Sequence, residues 1–335
     1  MEQQRSYTEE KMRKLRMYFM VAFSVVALML MAAEPAKSVE YPIKGRTITI
    51  LCQSSPGASA DVGARLLAIA MEKELGTPVQ VLNKPGAGGQ VAITEQVKSK
   101  PDGYTLLQQV LPTAILMYLD PSRGAIFGRK DFELIGNYSI VATGIASKSD
   151  GPFRTLKDLV EAARAKPDTV KVGDPGLLTG PQMAVLLLEK VAGVKFASVH
   201  FDGGAKSVNA LLGGHIDATS SALGTYGPLW KGGAINVLGL ADTVQDKLYP
   251  GVKTMAEQGY KVSMPIAFGL VATTGTPREV VDILKQTFRK AVETSEFRTR
   301  LEETGSSWRY QDPDQFNTFW ADMETQIKPL MSLPR

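Results

Sequence analysis

From Tyr41 onward, apolar runs of strand length alternate with amphipathic runs of helical length, which restricts the chain to an α/β fold with parallel strands covered by helices. Thr47 to Cys52 predicts a strand and Ser54 to Ser59 a turn. A helix is predicted from about Ala60 to Leu75, because Val62, Leu66, Ile69 and Ala70 fall on one helical face. Val79 to Leu82 then predicts a strand, Gln90 to Ser99 a helix, and Tyr104 to Gln108 a strand beyond the turn Pro101-Asp102-Gly103.

The pattern resumes in the middle. Thr155-Leu156-Lys157-Asp158 is an acidic capping box that opens a helix to about Ala165. Strands fit Val170 to Gly173, Phe196 to Phe201, Ile216 to Ser220 and Asn236 to Leu240. Helices fit Pro181 to Val191, Ala205 to Leu212 and Tyr226 to Lys231. The tail is predicted helical. Thr276-Pro277-Arg278-Glu279 supplies a cap for one helix stopped by Gly305, and Asp312-Pro313-Asp314-Gln315 repeats the arrangement for the last.

A chain of 335 residues buries a substantial core and divides into two domains. The expected division is residues 1–38 as a signal peptide, 39–142 with 263–335 as the first lobe, and 143–262 as the second. The chain would cross between lobes near 140–145 and 263–270. A cleft between hinged lobes is a natural place for a small ligand.

The leader is read from Lys11, Arg13, Lys14 and Arg16, the apolar run Met17 to Ala33, and the small residues Ala36 and Ser38, with cleavage after Ser38. An uncleaved membrane anchor is the rival reading, since the apolar run just reaches spanning length. Met12 and Met17 are alternative starts. Removing residues 1–38 leaves 32 basic against 30 acidic residues, a net +2. No basic cluster interleaves with aromatics in that remainder, which argues against nucleic acid as a partner. Cys52 is the only cysteine, so no intramolecular disulfide forms. Its place inside a strand suggests a buried small hydrophobe.

Catalytic chemistry finds little support. His200 and His215 are the only histidines, and no two His or Cys residues have metal-ligand spacing. No G-x-S-x-G elbow or phosphate loop is present, and no cofactor is expected. The glycine clusters are more informative. Asn83-Lys84-Pro85-Gly86-Ala87-Gly88-Gly89 joins a strand to a helix, but Val91 stands where a dinucleotide fingerprint needs its third glycine. The loop can still bring backbone N–H groups to a helix N-terminus, a site for a carboxylate. Ser54-Ser55-Pro56-Gly57-Ala58-Ser59-Ala60-Asp61 offers the same geometry with hydroxyls added. Either loop alone also reads as a tight turn; two after adjacent strands raise the case for anion capture.

The segment from Tyr41-Pro42 through PGASADVGARLLAIAMEKELGTPVQVLNKPGAGGQVA to KPDGYTLL resembles the start of the tripartite tricarboxylate transporter receptors, the Bug family. The resemblance continues through Phe132 to Gly136, Phe201-Asp202-Gly203-Gly204, Leu211 to Asp217 and Gly275-Thr276-Pro277, covering essentially all of 41–330. It implies a two-lobed, type II-like periplasmic-binding-protein fold that closes like a Venus flytrap and performs no catalysis. It also implies a periplasmic location in a Gram-negative bacterium and integral-membrane transporter subunits as partners.

By that resemblance, the loops matching Ser55 to Asp61 and Pro85 to Gly89 hold one ligand carboxylate, partly through water. Ser55, Gly57, Ala58, Ser59, Asp61, Pro85, Gly86, Ala87 and Gly88 are the residues expected there. The second lobe is expected to contribute Asp174, Thr179, Phe201, Gly203 and Ser221. Ser59, Thr179 and Ser221 would add hydroxyl donors, and Phe201 and Phe268 would pack on the ligand body or, on the alternative reading, in the core. The sequence departs from the family at Gly57-Ala58-Ser59, where consecutive glycines are usual. Asp174 to Gly180 replaces a glycine- and serine-rich turn, and Gln182 falls near a usual histidine. These departures leave the ligand open. The expected function is a monomeric receptor for a small mono- or dicarboxylate, aliphatic or aromatic. A carboxylate sensor for a membrane kinase is the alternative, and a secreted hydrolase or dehydrogenase a third reading.

Overall fold

The computed structural model describes residues 12–13, 15–20 and 40–332. Residues 12–13 and 15–20 are helical. The rest of the expected leader, with its cleavage point after Ser38, lies outside the described residues. The chain divides into two units, Met1–Glu40 and Tyr41–Arg335, and the second holds both β-sheets.

That unit begins with β1 (Ile48–Cys52), α1 (Ser59–Leu75), β2 (Val79–Asn83), α2 (Gln90–Val97), β3 (Thr105–Leu111), α3 (Thr113–Leu119) and β4 (Phe132–Val141). Next come β5 (Thr143–Lys148), α4 (Leu156–Ala165), β6 (Lys171–Asp174), α5 (Gly180–Ala192), β7 (Ala197–His200) and α6 (Gly204–Leu212). Then follow β8 (Ala218–Ala222), α7 (Gly227–Lys231), β9 (Ile235–Ala241) and β10 (Ile266–Thr273). The described chain ends through α8 (Arg278–Glu293), α9 (Ser295–Glu303), β11 (Trp308–Gln311) and α10 (Pro313–Ile327), with short 3-10 turns between some elements.

The first sheet has the order β11-β4-β10-β3-β1-β2 and the second β7-β6-β8-β5-β9. The chain passes from one to the other through the single residue Ala142 and returns through residues 242–265. The expectation of parallel strands holds for β1, β2 and β3 and for β6, β7 and β8. It is corrected elsewhere: β4 leaves for the second sheet, β10 returns beside it, and neighbours that leave and return run antiparallel. The strand β5 is likewise antiparallel to β8 and β9.

Alternation along β1 divides the core. Ile48, Ile50 and Cys52 face one cluster with Leu67 and Met71 of α1 and Leu284 and Phe288 of α8, while Leu51 faces another with Ile93, Ile115 and Trp320. Burial of each such large side chain stabilises the fold by about 1.5–3 kcal/mol. A third cluster packs Val208, Leu211, Ile216, Tyr226 and Tyr249 on the second sheet.

The tail departs from expectation in three places. The helix expected from Thr276 to Gly305 is two helices, because Thr294 is extended and its hydroxyl accepts from the Phe297 N–H at 3.2 Å, capping α9. Thr276 is not a helix cap: its hydroxyl donates to the Thr273 carbonyl at 2.7 Å, and Pro277 takes the N-cap position. Finally, β11 adds a short antiparallel edge strand to β4. Asp312 and Gln315 form the reciprocal capping box that their spacing predicts.

Candidate ligand-binding site

The loops that follow β1, β2, β6, β7 and β8 converge on one cleft enclosing about 610 Å³ of atom-free space, its open mouth included. All five strands belong to the two parallel triplets, and the carboxyl ends of parallel strands are where such folds bind ligands.

The first loop is braced by Asp61. Its buried carboxylate accepts from the Gly57 N–H at 2.9 Å, from Asn83 Nδ2 at 2.7 Å and from Arg65 at 2.9 Å. Asp61 therefore holds the loop's shape and is not among the residues lining the cleft. Gly57 is exposed, with its N–H already engaged, and is also absent from the lining. Ser55 is turned aside because its hydroxyl donates to the Asp202 carbonyl of the opposite lobe. Ala58 and Ser59 do line the cleft. Ala58 occupies the N-cap of α1 and supplies no side-chain acceptor.

The loop after β2 carries positive φ at Gly86, Ala87, Gly88 and Gly89. Pro85, Gly86 and Gly88 line the cleft, whereas Ala87 faces solvent and its carbonyl accepts from Arg123. Gly88 cannot be replaced cheaply. Its φ is +70°, and a Cβ would stand 2.7 Å from the Leu177 carbonyl oxygen of the other lobe.

In the second lobe Thr179, Gly203 and Ser221 line the cleft. Asp174 does not: it is buried, accepts from the Gly176 N–H at 2.8 Å and pairs with His200 Nδ1 at 2.9 Å. Burial pushes its carboxyl up, opposed by the His200 contact, and the hydrogen bond to Asp174 raises the imidazole against its own partial burial. Phe201 is half-buried, packs against the third core cluster with its ring close to Gly173, and is not among the residues lining the cleft. Phe268 lines the cleft, stacked on Tyr138 with centroids 6.4 Å apart.

Several lining residues escaped the sequence reading. Gly204 lies in the Phe201-to-Gly204 segment that the sequence singled out, and Thr225 lies four residues beyond Ser221, which was the available signal. Val110 and Ile266 sit within apolar strands, where nothing in the sequence separates a cleft wall from a core position.

Three helices open toward the cleft without a side-chain cap: α1 at Ala58, α2 at Gly89 and α6 at Gly203. Their N–H groups and dipoles favour a negative group. Asp202, at the rim and paired with Lys206 at 3.6 Å, is the only ionisable side chain in the lining. Among the described residues, no group of three or more His, Cys, Asp or Glu side chains could hold a metal. The Cys52 thiol is pushed up to about 12 by burial, which keeps it protonated and unreactive.

The chain matches the model of the tripartite tricarboxylate transporter family receptor over residues 63–333. It is 30% identical to the UPF0065 protein in gbd 5'region of Cupriavidus necator, over 93% of this chain and 94% of that protein. The periplasmic binding protein BugD superposes with a TM-score of 0.79 at 25% identity, over 86% of this chain and 97% of BugD. MatC of Rhodopseudomonas palustris with bound malate gives 0.80 at 23% identity, over 87% of this chain and all of MatC, a likeness of fold. The common architecture is the two-lobed periplasmic-binding-protein fold. The matched family consists of substrate-binding receptors and not enzymes. With the family model spanning most of its length, the chain belongs to the tripartite tricarboxylate transporter receptor family.

Proposed function

We propose that this receptor captures a small carboxylate in the cleft between its lobes and delivers it, in the periplasm, to integral-membrane transporter subunits. The observation that carries the reading is the cleft itself: three uncapped helix N-termini face a space whose lining has one ionisable side chain, an acid at the rim. An anion there is held by backbone N–H groups and by hydroxyls such as that of Thr225. The Thr225 oxygen accepts from the Ser59 N–H and the Ser221 hydroxyl, so its own hydrogen is left to donate. BugD is a periplasmic binding protein and MatC carries malate, which supports both compartment and ligand chemistry.

The lobes are assigned as 39–142 with 263–335 and as 143–262, behind a leader of residues 1–38. The strands support this division, since β1–β4, β10 and β11 share one sheet and β5–β9 the other. Of the expected site residues, Ala58, Ser59, Pro85, Gly86, Gly88, Thr179, Gly203, Ser221 and Phe268 form the assigned site.

A thermal-shift screen of the chain from Val39, freed of co-purified ligand, tests the reading against mono-, di- and tricarboxylates. Ligand that binds only the folded state raises the melting temperature with concentration. A folded protein that no carboxylate shifts would overturn the proposal. Loss of uptake of the identified ligand in a deletion strain, with transcription unchanged, separates transport from sensing.

A further inference from the structure

The two sides of the cleft are chemically unequal. On one side lie the N-termini of α1 and α6, neither capped by a side chain. Ser59, Thr225 and Ser221 gather there. The Ser59 N–H donates to Thr225 Oγ1 at 3.3 Å, and the Ser221 hydroxyl donates to the same oxygen at 3.4 Å. A Cβ on Gly204, the first residue of α6, would strike Ser221 Oγ, which places that helix start against these hydroxyls.

The wall formed by the start of α5 with β3 and β10 offers an anion far less. At the start of α5, Thr179 Oγ1 accepts from the Gln182 N–H at 3.4 Å, and its hydrogen goes to the Gly176 carbonyl at 2.7 Å. Gln182 Oε1 takes the Leu178 N–H at 2.9 Å, and Pro181 has no N–H to offer. The segment that departs from the family's glycine- and serine-rich turn thus spends the Thr179 hydroxyl and the Leu178 and Gln182 N–H groups on its own hydrogen bonds. It abuts apolar residues: a Cβ on Gly180 would lie 2.9 Å from Pro112 Cδ and 3.5 Å from Ile266 Cγ1. Ile266 and Phe268 lie two apart on β10, and Phe268 is the cross-strand partner of Val110 on β3, so all three share one face. Thr113 adds one hydroxyl to this wall, and the lining has no lysine, arginine or histidine.

We infer that the ligand of this receptor is a monocarboxylate with an apolar, aliphatic or aromatic body. Its carboxylate lies on the α1/α6 side and its body against Val110, Ile266, Phe268 and Pro181. A second carboxylate against this wall would be stripped of water opposite a proline ring and aliphatic carbons, with the Thr113 hydroxyl alone to replace its hydration. The inference rests on the carboxylate-receptor reading and narrows it to one class.

The test is calorimetric titration of the ligand-free chain from Val39 with matched pairs of similar length: hexanoate against adipate, and benzoate against terephthalate. The monocarboxylate of at least one pair should bind at least about tenfold tighter than its dicarboxylate. Equal or tighter binding of the dicarboxylates overturns the inference while leaving the carboxylate receptor standing; no binding by any of the four overturns the inference, and only silence across the wider screen overturns the receptor as well. Ile266→Val, which removes one methyl, should weaken the preferred monocarboxylate about fourfold. The near-isosteric Val110→Thr should narrow the ratio within the pair. Folded variants with unchanged affinities and ratio would show that this wall does not touch the ligand body, and would refute the assignment.

Discussion

Alanine at Gly224 is expected to weaken ligand binding by opposing lobe closure. Gly224 lies in the turn after β8, and its φ is outside the left-handed region, so an alanine is conformationally acceptable. Its Cβ, however, would collide with Ser306 Oγ and stand 2.5 Å from Ser59 Oγ, both on the first-sheet side of the cleft. Those hydroxyls are themselves hydrogen-bonded at 3.1 Å and buried, so neither can swing away without losing its partner. Overpacking of this kind costs about 1–3 kcal/mol. Opening the lobes relieves the clash, so the cost falls on the closed state and appears as a loss of affinity of about 5- to 150-fold. Titration calorimetry with the ligand found by screening measures the loss. Small-angle scattering should show the ligand-free variant more open than wild type, while urea denaturation shows little change in its stability. Wild-type affinity in a folded Gly224→Ala protein would refute the argument that these contacts govern closure.

Asp61→Ala should abolish measurable capture of the ligand while the protein still melts cooperatively, because the carboxylate organises Gly57, Asn83 and Arg65 around the first loop. Retained affinity would show that the loop holds its shape without it. Trp320 is fully buried between Phe132 and Phe316, with its indole N–H donated to Tyr118 at 3.0 Å. Trp320→Ala should therefore lower unfolding free energy by about 3–5 kcal/mol, read from urea denaturation. His200 gains a partner on folding, so its folded pKa lies above the unfolded value of about 6.5. Its contribution is full below that unfolded value and is lost as pH rises through the folded one. The melting temperature of wild type should fall across that window more steeply than that of His200→Gln, and parallel profiles would sink the assignment.

Local chemistry made much of the fold legible. The Thr155 and Asp312 capping boxes and the alternation of strand with helix can be read from residues close in sequence, and the structure has each of them. The helix α1 forms where expected, but it buries Ala64, Leu67, Ala68 and Met71 and leaves Ile69 exposed, so the face read from Val62, Leu66, Ile69 and Ala70 is corrected. The tail was less legible, because whether Thr276 or Thr294 caps a helix depends on which carbonyl each hydroxyl reaches. The short strand β11 carries no periodicity of its own and is defined by β4 alongside it.

The sequence by itself determined that two glycine-bearing loops follow adjacent strands and open helices, since strand ends, glycines and caps are local properties. The tertiary structure alone decided which loop residues face the cleft. Ser55 and Asp61 carry the right groups, but a carbonyl from the other lobe engages one, and the Gly57 N–H with the Asn83 and Arg65 side chains engages the other. It also decided that Val110 and Ile266 form a wall of the cleft. An apolar residue on a strand has the same local signature in a core as in a pocket, and what distinguishes the two is whether the opposing lobe leaves space in front of it.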